Sequence, residues 1–400
     1  MSNGINEGLG VATKLTRLGR DVDTQYGFVN APVYRGSTVV FKTMDDIENL
    51  RARYIYGTYG SPTIEHLENA WSELTGAAGT VISPSGLGAI ALALMTTLKA
   101  GDHLLMPDSV YRPTRAFCEN FLGKFGVKVT YYDPLIGRGI LDWIEPNTTT
   151  IFLESPGSQT FEVQDVPAIT AVAKELGIKT IIDNTWATPI FFQAHAHGCD
   201  LSVEAGTKYL GGHSDLLMGL VSANAETWPA LRMTYDSMHM LPGAEDCFLA
   251  LRGLRTMHLR VMEAERRGLE MAQWMLLQPE VAAVLHPAME SCPGHEFWKR
   301  DFGGSTGLFS VVLKPEYSKP ALAAMLDNMS IFGMGFSWGG FESLMIPFDC
   351  SDYRTVTPWR PKGLCLRLQI GLEDFNDLKN DIRKGLDRLS SFMHLHEYES

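Results

Sequence analysis

The chain has 400 residues, of which 45% are hydrophobic, and a formal net charge of −12 at pH 7. A chain of this length exceeds one compact core, so two domains are expected. The acidic balance argues against nucleic acid or an anionic membrane surface as a partner. No apolar run is long enough for a membrane helix, and residues 1–8 lack the basic start and apolar core of a signal peptide.

The six cysteines are scattered without paired spacing. In a chain of this length that distribution indicates reduced thiols and a cytoplasmic protein. His195, His197 and Cys199 lie close together in the sequence, but no second ligand pair follows at a matching spacing. We therefore predict no metal site.

Residues 1–60 carry few periodic signals and are interrupted by glycines. A segment of that length without its own core is expected to be an arm that lies on the rest of the chain or on a partner. After it, the pattern predicts a helix with Ser61 as its N-cap, Pro62 as its first residue and its end at Gly76.

Short apolar strands then alternate with helices from residue 79 to residue 223. This alternation predicts a mostly parallel sheet that is covered by helices on both faces. The predicted strands are 79–84, 103–106, 127–132, 150–154, 179–183, a segment starting at 201, and 217–223. The predicted helices begin at Ser85, near residue 115, near residue 141 and at Val166.

The pattern changes after residues 252–255. A long helical pattern over about 254–277 is followed by strand-like segments at 281–286, 307–313 and 364–370 and by a helix at 320–326. This remainder indicates a smaller α+β unit. The sequence therefore predicts an N-terminal arm over 1–60, a large ligand-binding domain over 61–255 and a small C-terminal domain over 256–400.

Chemically distinctive residues collect at the carboxyl ends of the predicted parallel strands, where open α/β sheets bind ligands. Glycines within 85–89 open a helix whose free N–H groups suit a phosphate. Asp183 ends one buried strand, Lys208 ends the next, and Tyr111 follows a third with an aromatic face. A lysine beside an apolar wall titrates low and can form a Schiff base with a carbonyl. Together these features predict a pyridoxal 5'-phosphate site.

Two other classes of protein stay open on these residues alone. The run 86–91 approximates a dinucleotide fingerprint and would indicate a dehydrogenase, but that interpretation does not account for Asp183 or Lys208. A non-catalytic α/β scaffold, in which Lys208 simply reaches solvent, gives no reason for the aromatic and glycine-rich segment 54–60.

Nine sequence motifs resemble the Cys/Met-metabolism family of pyridoxal-phosphate enzymes, and most closely its bacterial cystathionine β-lyases. They span nearly the whole chain, and the motif around Lys208 is the most specific of them. The motifs are SGLGA (85–89), FLESPGS (152–158), IDNTWA (182–187), GTKYLGGHSD (206–215), RGLRT (252–256), GHEFWKR (294–300), GLFS (307–310), FSWGGFES (336–343) and LRLQIGLE (366–373). The resemblance implies a fold-type I architecture.

The resemblance also implies catalytic roles. Lys208 would carry the cofactor and shuttle the Cα proton, Asp183 would pair with the pyridine nitrogen, and Tyr111 would stack on the ring. Tyr56 would reach into the site of a neighbouring subunit, because the family assembles as dimers of dimers, that is, as a homotetramer.

Further residues are implied as contacts of the cofactor and the substrate. The phosphate would be held by Gly86, Leu87 and Thr207. The substrate α-carboxylate would bind Arg367 as a bidentate fork, and Ser337 and Trp338 would line the substrate side.

The chain departs from the family pattern at three places. Thr58 replaces a phosphate-clamping arginine, a loss of about 1–2 kcal/mol of anchoring unless Arg53 or another cation substitutes. Ala205 stands where many relatives have a phosphate-binding serine. Arg112 and Arg115 form a basic stretch expected near the mouth of the site, which leaves open what binds the far end of the substrate.

The activity implied is that of a carbon–sulfur β-lyase, which cleaves L-cystathionine to homocysteine, pyruvate and ammonia. The segment 337–340 favours this reaction over those of the γ-acting relatives. A γ-lyase or γ-substituting enzyme acting on a methionine- or canavanine-like amino acid stays open, because both routes begin with the same carbanion.

Overall fold

The computed structural model describes residues 8–397. Its helices are α1 Val11–Arg17, α2 Met44–Glu48, α3 Pro62–Thr75, α4 Gly86–Thr97, α5 Arg112–Asn120, α6 Val166–Glu175, α7 Thr188–Phe191, α8 Trp228–Met238, α9 Ala244–Leu276, α10 His295–Asp301, α11 Lys319–Leu326 and α12 Phe375–Glu397. Its strands are β1 Gly79–Ser83, β2 His103–Pro107, β3 Lys128–Tyr132, β4 Thr148–Glu154, β5 Lys179–Asp183, β6 Leu201–Glu204, β7 Gly219–Ala223, β8 Val281–Leu285, β9 Leu308–Leu313, β10 Leu344–Phe348 and β11 Cys365–Gln369. Residues 1–7 lie outside the described residues. The prediction that residues 1–8 are not a signal peptide falls almost entirely on them.

Strands β1–β7 form one sheet, in the order β1-β7-β6-β5-β4-β2-β3. β6, β5, β4, β2 and β3 are parallel, and β7 lies antiparallel between β6 and β1. Every residue of β1, β2, β6 and β7 is buried, as expected for strands covered on both faces. The predicted mostly parallel α/β fold with flanking helices is confirmed.

The remaining strands form a separate antiparallel sheet, in the order β10-β11-β9-β8. Helices α11 and α12 bury their apolar faces together with this sheet in a second core, through residues such as Leu322, Leu378 and Ile382. The smaller α+β unit predicted for the C-terminal part is therefore present. In the described part of the chain, no helix is both long and apolar enough to span a membrane.

Helix α9 links the two cores. Leu254, Met257 and Val261 pack in the core of the large sheet, whereas Met271 and Met275 pack in that of the small sheet. The helix begins at residue 244, about ten residues before its predicted start. The boundary predicted between residues 255 and 256 falls inside it and stays a prediction.

Local patterns predicted some helix ends and missed whole helices. Helix α3 begins at Pro62 and ends before Gly76, which has a left-handed φ of 69°. Ser61 occupies the N-cap position, but its hydroxyl has no hydrogen-bond partner in the described chain. Helix α12 was missed, although buried residues recur in it at helical spacing: Leu378, Ile382, Leu386 and Leu389.

The N-terminal arm lies partly on its own chain. Leu15 and Leu18 are buried, and the Arg255 guanidinium donates to the Leu15 carbonyl at 3.0 Å. Farther along the arm, large apolar side chains face solvent in the single protomer; Tyr26 is 94% exposed and Val40 is 85% exposed.

Candidate active site

Two carboxyl groups meet at the carboxyl edge of the large sheet. Asp183 is the last residue of β5, Glu154 is the last residue of β4, and the two are direct partners in the parallel register. Asp183 was predicted as a site residue and Glu154 was not, although Glu154 also ends a predicted buried strand. Glu154 Oε2 accepts a hydrogen bond of 2.7 Å from the backbone N–H of Tyr111.

Burial governs the ionisation of this pair. Burial, and then repulsion from Asp183, raise the pKa of Glu154 well above its usual range. Burial also raises the pKa of Asp183, although hydrogen bonds from Thr185 and the charge of Lys208 oppose that effect. Both Thr185 bonds reach Asp183 Oδ1, at 2.5 Å from the hydroxyl and 3.0 Å from the backbone N–H. We infer that Glu154 holds a proton and that Asp183 carries the negative charge.

Lys208 lies in the turn beyond β6, four residues past the strand's last residue, and not at the strand end as predicted. Its Nζ donates to Ser337 Oγ at 2.7 Å and lies 5.2 Å from the centre of the Trp338 ring. Burial, and then the neighbouring Arg367 charge, lower the pKa of Lys208 to about 8, while Asp183 acts in the opposite direction. A substantial fraction of this amine is therefore neutral near physiological pH.

Residues from the small sheet complete this side of the site. Arg367, in the middle of β11, is 8% exposed and donates to the Ser337 carbonyl at 2.9 Å. Its Nε has no hydrogen-bond partner in the described chain, so part of the guanidinium fork is free for an anion. Burial lowers the pKa of Arg367 only to about 10, so it keeps its charge at neutral pH.

Tyr111 lies at the start of α5 and is 44% exposed. Burial, and then the acidic neighbours Glu154 and Asp183, raise the pKa of its phenol. The phenol therefore keeps its proton at neutral pH. An exposed ring face and a retained proton suit both stacking on a planar ligand and proton donation.

The N-terminus of α4 forms a cradle beside β1 and β7. A Cβ on Gly86 would lie 2.7 Å from Ala205 Cβ, and one on Gly88 would lie 2.6 Å from Ser83 Oγ. This close approach accounts for the glycines and for the small residue at Ala205. Ser83 Oγ is buried without a hydrogen-bond partner in the described residues, and sequence reasoning missed it.

Two predicted phosphate contacts lie beside this cradle. Leu87 follows Gly86 in the first turn of α4 and is 38% exposed. The Thr207 hydroxyl accepts from the Met218 N–H at 2.9 Å and donates to the Met218 carbonyl at 3.2 Å. A phosphate would have to compete with that carbonyl for the Thr207 proton.

The cradle, the amine and the acid fit pyridoxal 5'-phosphate. The first turn of α4 presents free N–H groups to an anion. Lys208 offers an amine of lowered pKa to an aldehyde, and Asp183 offers a buried carboxylate to a pyridinium nitrogen.

The segment around Tyr56 lies apart from this cluster. Tyr56 is 46% exposed and pairs with Thr38 in the arm, and no hydrogen bond or ring contact in the described chain joins it or Thr58 to Lys208. Arg53 pairs with Glu65 at 2.5 Å within its own chain. The predicted role of Tyr56 in a neighbouring site stays a prediction.

The expectation that Arg115 lies at the mouth is wrong. Arg115 is 4% exposed, contacts Asp108 at 2.6 Å and stacks on the Tyr131 ring at 3.4 Å. Arg112 is exposed and pairs with Asp352 at 2.7 Å. The sequence shows only that two arginines follow Tyr111, whereas the tertiary structure decides which of them turns inward.

Asp108, close to Tyr111 in the large unit, binds a segment of the small unit through hydrogen bonds. It is fully buried and accepts backbone hydrogen bonds of 3.0, 2.9 and 2.8 Å from the successive residues 355–357. Arg354 approaches it at 3.8 Å and contacts Glu162 at 2.6 Å. This buried charge network holds the segment 354–357 against the start of α5.

The cluster His195, His197 and Cys199 has structural contacts. His195 Nδ1 lies 3.0 Å from the Cys199 carbonyl oxygen, and its Nε2 lies 3.1 Å from Ser222 Oγ. Among the residues that the structure describes, no group of histidine, cysteine and acidic side chains is arranged to hold a metal ion.

A lysine, a buried acid and a helix N-terminus at the carboxyl edge of a parallel sheet define a class, the pyridoxal 5'-phosphate enzymes of fold type I. The sequence model of the family described as "Cys/Met metabolism PLP-dependent enzyme" matches residues 12–387, and the chain belongs to that family. The predicted family and its pyridoxal-phosphate dependence are confirmed.

Several curated relatives and solved structures resemble the chain over most of its length. A Saccharomyces cerevisiae protein named "Putative cystathionine beta-lyase" is 62% identical over 83% of this chain and 97% of its own length. Cystathionine beta-lyase MetC of Escherichia coli is 41% identical over 94% and 98%. The crystal structure of cystathionine gamma synthase from Xanthomonas oryzae pv. oryzae in complex with cystathionine superposes with a TM-score of 0.88 at 30% identity, covering 96% of this chain and 99% of that one.

Proposed function

We propose that the protein is a carbon–sulfur β-lyase that uses pyridoxal 5'-phosphate to convert L-cystathionine and water into L-homocysteine, pyruvate and ammonia. The observation that carries the proposal is Lys208, whose amine has a lowered pKa, donates to Ser337 and feels the charges of both Asp183 and Arg367. The relatives named cystathionine β-lyase support the same substrate.

Each residue of the site has a separate role in the proposed reaction. The bound cofactor withdraws electrons from the substrate Cα. Arg367 binds the α-carboxylate, and Lys208 Nζ takes the proton from Cα, steered by its hydrogen bond to Ser337. Asp183 keeps the pyridine nitrogen protonated, and the neutral Glu154 beside it avoids a second buried charge.

Two further side chains shape the leaving-group side. The Tyr111 phenol retains its proton and faces the site with an exposed ring, so it can stack on the cofactor and protonate the departing thiolate. The Trp338 ring covers Lys208 Nζ and limits its contact with water. The phosphate is assigned to Gly86, Leu87 and Thr207 around the start of α4.

Product identification tests the proposal. β-Cleavage releases pyruvate with homocysteine, whereas γ-cleavage releases 2-oxobutyrate with cysteine. Both keto acids and both thiols can be quantified by mass spectrometry after incubation with L-cystathionine, with Lys208→Ala as the inactive control. Equal amounts of pyruvate and homocysteine support the β-lyase, and 2-oxobutyrate as the main keto acid would refute it.

A γ-acting enzyme is the second candidate. The observation that favours it is the similarity to a solved cystathionine gamma synthase. Thr58 in place of the phosphate-clamping arginine would then belong to a site reshaped for another amino acid.

We also propose a homotetramer in the cytoplasm. The arm exposes large apolar side chains, including Tyr26 and Val40, that a second copy would cover, and Tyr56 follows in the same arm. All six cysteines are buried free thiols, which suits a reducing compartment. Light scattering is expected to give a tetramer, and Tyr26→Asp with Val40→Asp is expected to give smaller, inactive species. A wild-type protein that is active as a monomer would contradict this assembly.

A further inference from the structure

A second cavity lies in the small unit, outside the site around Lys208. It is open to solvent on one side and has a volume of about 850 Å³ between α11, the edge strand β10 and the segment 359–365. Lys208, Asp183 and Tyr111 do not line it. The reaction assigned to the chain leaves this cavity without a role.

The cavity has an apolar floor and an aromatic wall. Leu322 and Leu326 of α11 are buried, each 5% exposed. The rings of Phe348 and Trp359 stack with centroids 6.5 Å apart and an interplanar angle of 26°. Two aromatic rings that are inclined by 26° to each other, beside buried aliphatic side chains, suit a planar aromatic ligand.

Cations outnumber acids in the lining. Lys319, Arg360 and Lys362 line the cavity, and no salt bridge among the described residues reaches any of the three. The acids in the lining are Asp327 and Asp349, and Asp349 Oδ1 already accepts from the Ser351 N–H at 2.9 Å. The cavity therefore suits a ligand that carries a negative charge.

A short segment connects this cavity to Lys208. Met334 lines the cavity, and Ser337, three residues later, accepts from Lys208 Nζ at 2.7 Å. Gly333 is fixed by backbone hydrogen bonds to Ser343 and Met345, but no backbone hydrogen bond in the described chain holds 334–336. Ser337 has a φ of 79°, a conformation that a non-glycine residue keeps only when its contacts hold it.

We propose that this cavity binds a small aromatic anion and that its occupancy changes the position of Ser337 and hence the activity of Lys208. The ligand inserts its ring between α11 and the Phe348–Trp359 wall and places its anionic group at Arg360 and Lys362. Binding of the ligand does not depend on the proposed β-lyase function. The regulatory effect rests on that proposed function.

Calorimetric titration of the pyridoxal-phosphate-loaded protein with 1-naphthoate tests the binding step, with neutral 1-naphthamide as the matched probe. We expect naphthoate to bind about tenfold more tightly than the amide, as one charge-assisted contact allows. Arg360→Gln is expected to remove most of that difference, whereas Lys124→Gln, the same kind of charge loss on the large unit, leaves it unchanged. Equal binding of the two probes, or an unchanged affinity in Arg360→Gln, would overturn the proposal.

Two further variants locate the binding and test its effect. Ala323→Phe places a ring in the cavity next to Leu322 and Leu326 without altering charge and is expected to abolish binding. Arg367→Gln is expected to retain binding, which would exclude the catalytic site. Saturating naphthoate is expected to change kcat or KM for cystathionine at least about threefold in the wild type, and not in Ala323→Phe. Binding without a kinetic effect would refute the regulatory step alone. A protein that binds naphthoate but does not cleave cystathionine would refute the proposed function and leave the site standing.

Discussion

Replacing Asp108 by asparagine tests whether the buried charge network holds the two units together. Asp108 accepts three backbone hydrogen bonds from 355–357 and pairs with Arg115. The side-chain amide of the variant would turn its own NH₂ donor towards these backbone donors, and the buried Arg115 would lose its 2.6 Å contact with a carboxylate. Breaking a buried ion pair costs about 3–5 kcal/mol. Asp352→Asn is the matched control, because Asp352 and Arg112 are 54% and 63% exposed and such pairs contribute about 0–1 kcal/mol.

Hydrogen–deuterium exchange resolves this effect at the residues concerned. We expect the amides of Thr355, Val356 and Thr357 to exchange at least about 100-fold faster in Asp108→Asn, since about 1.4 kcal/mol corresponds to a factor of ten. Urea unfolding is expected to begin at lower concentration in that variant than in Asp352→Asn. If both variants protect 355–357 equally well, Asp108 does not fasten the two units and our interpretation of the network is wrong.

The pH dependence of this contact has a defined sign. Burial alone raises the pKa of Asp108, but hydrogen bonds from 355–357 and Arg115 outweigh it and place the pKa below its usual value. The stabilisation is therefore present above the pKa of an unfolded aspartate, about 3.9, and is lost as the pH falls through the lower folded value. We expect the stability difference between the wild type and Asp108→Asn to shrink below about pH 4.

Three further predictions concern the candidate active site. Asp183→Asn is expected to fold normally but to lose several orders of magnitude in kcat; near-normal turnover would make Asp183 a structural acid. Because the neutral amine of Lys208 reacts with the aldehyde, cofactor-free protein is expected to recombine faster with pyridoxal phosphate as the pH rises through about 8. Stopped-flow absorbance measures this rate. A rate that does not change from about pH 6 to about pH 9 would contradict the lowered pKa of Lys208. Thr58→Arg is expected to slow loss of the cofactor on dialysis about tenfold. Unchanged retention with lower activity would instead place Thr58 in the substrate pocket.

Much of the large unit could be predicted from the sequence because its signals are local. The predicted strand 179–183 coincides with β5, and α3 begins and ends at the predicted proline and glycine. A short apolar run between two helices usually forms a buried parallel strand. A glycine that follows apolar residues at helical spacing adopts the left-handed conformation that ends the helix. Asp183 was found by the same logic, since it ends such a strand.

Other features depend on pairing between distant segments. Glu154 becomes a neighbour of Asp183 only through the β4–β5 register. The pKa of Lys208 is lowered first by burial and then by the charge of Arg367 on β11, and both effects arise only from tertiary packing. The resemblance predicted roles for Ser337 and Arg367, but the bond between Ser337 and Lys208 spans 129 residues.

The sequence by itself determined the family, the cofactor and the order along the chain of the seven strands that form the large sheet. These follow from local apolar periodicity, from turn residues and from specific motifs. Only the tertiary structure decided that Arg115 is buried in an ion pair and that Lys208 lies beyond its strand. It also decided that Met334, three residues before Ser337, lines a cavity with more basic than acidic side chains. Burial and charge pairing are properties of packing, and residues that share a pocket need not be near in sequence.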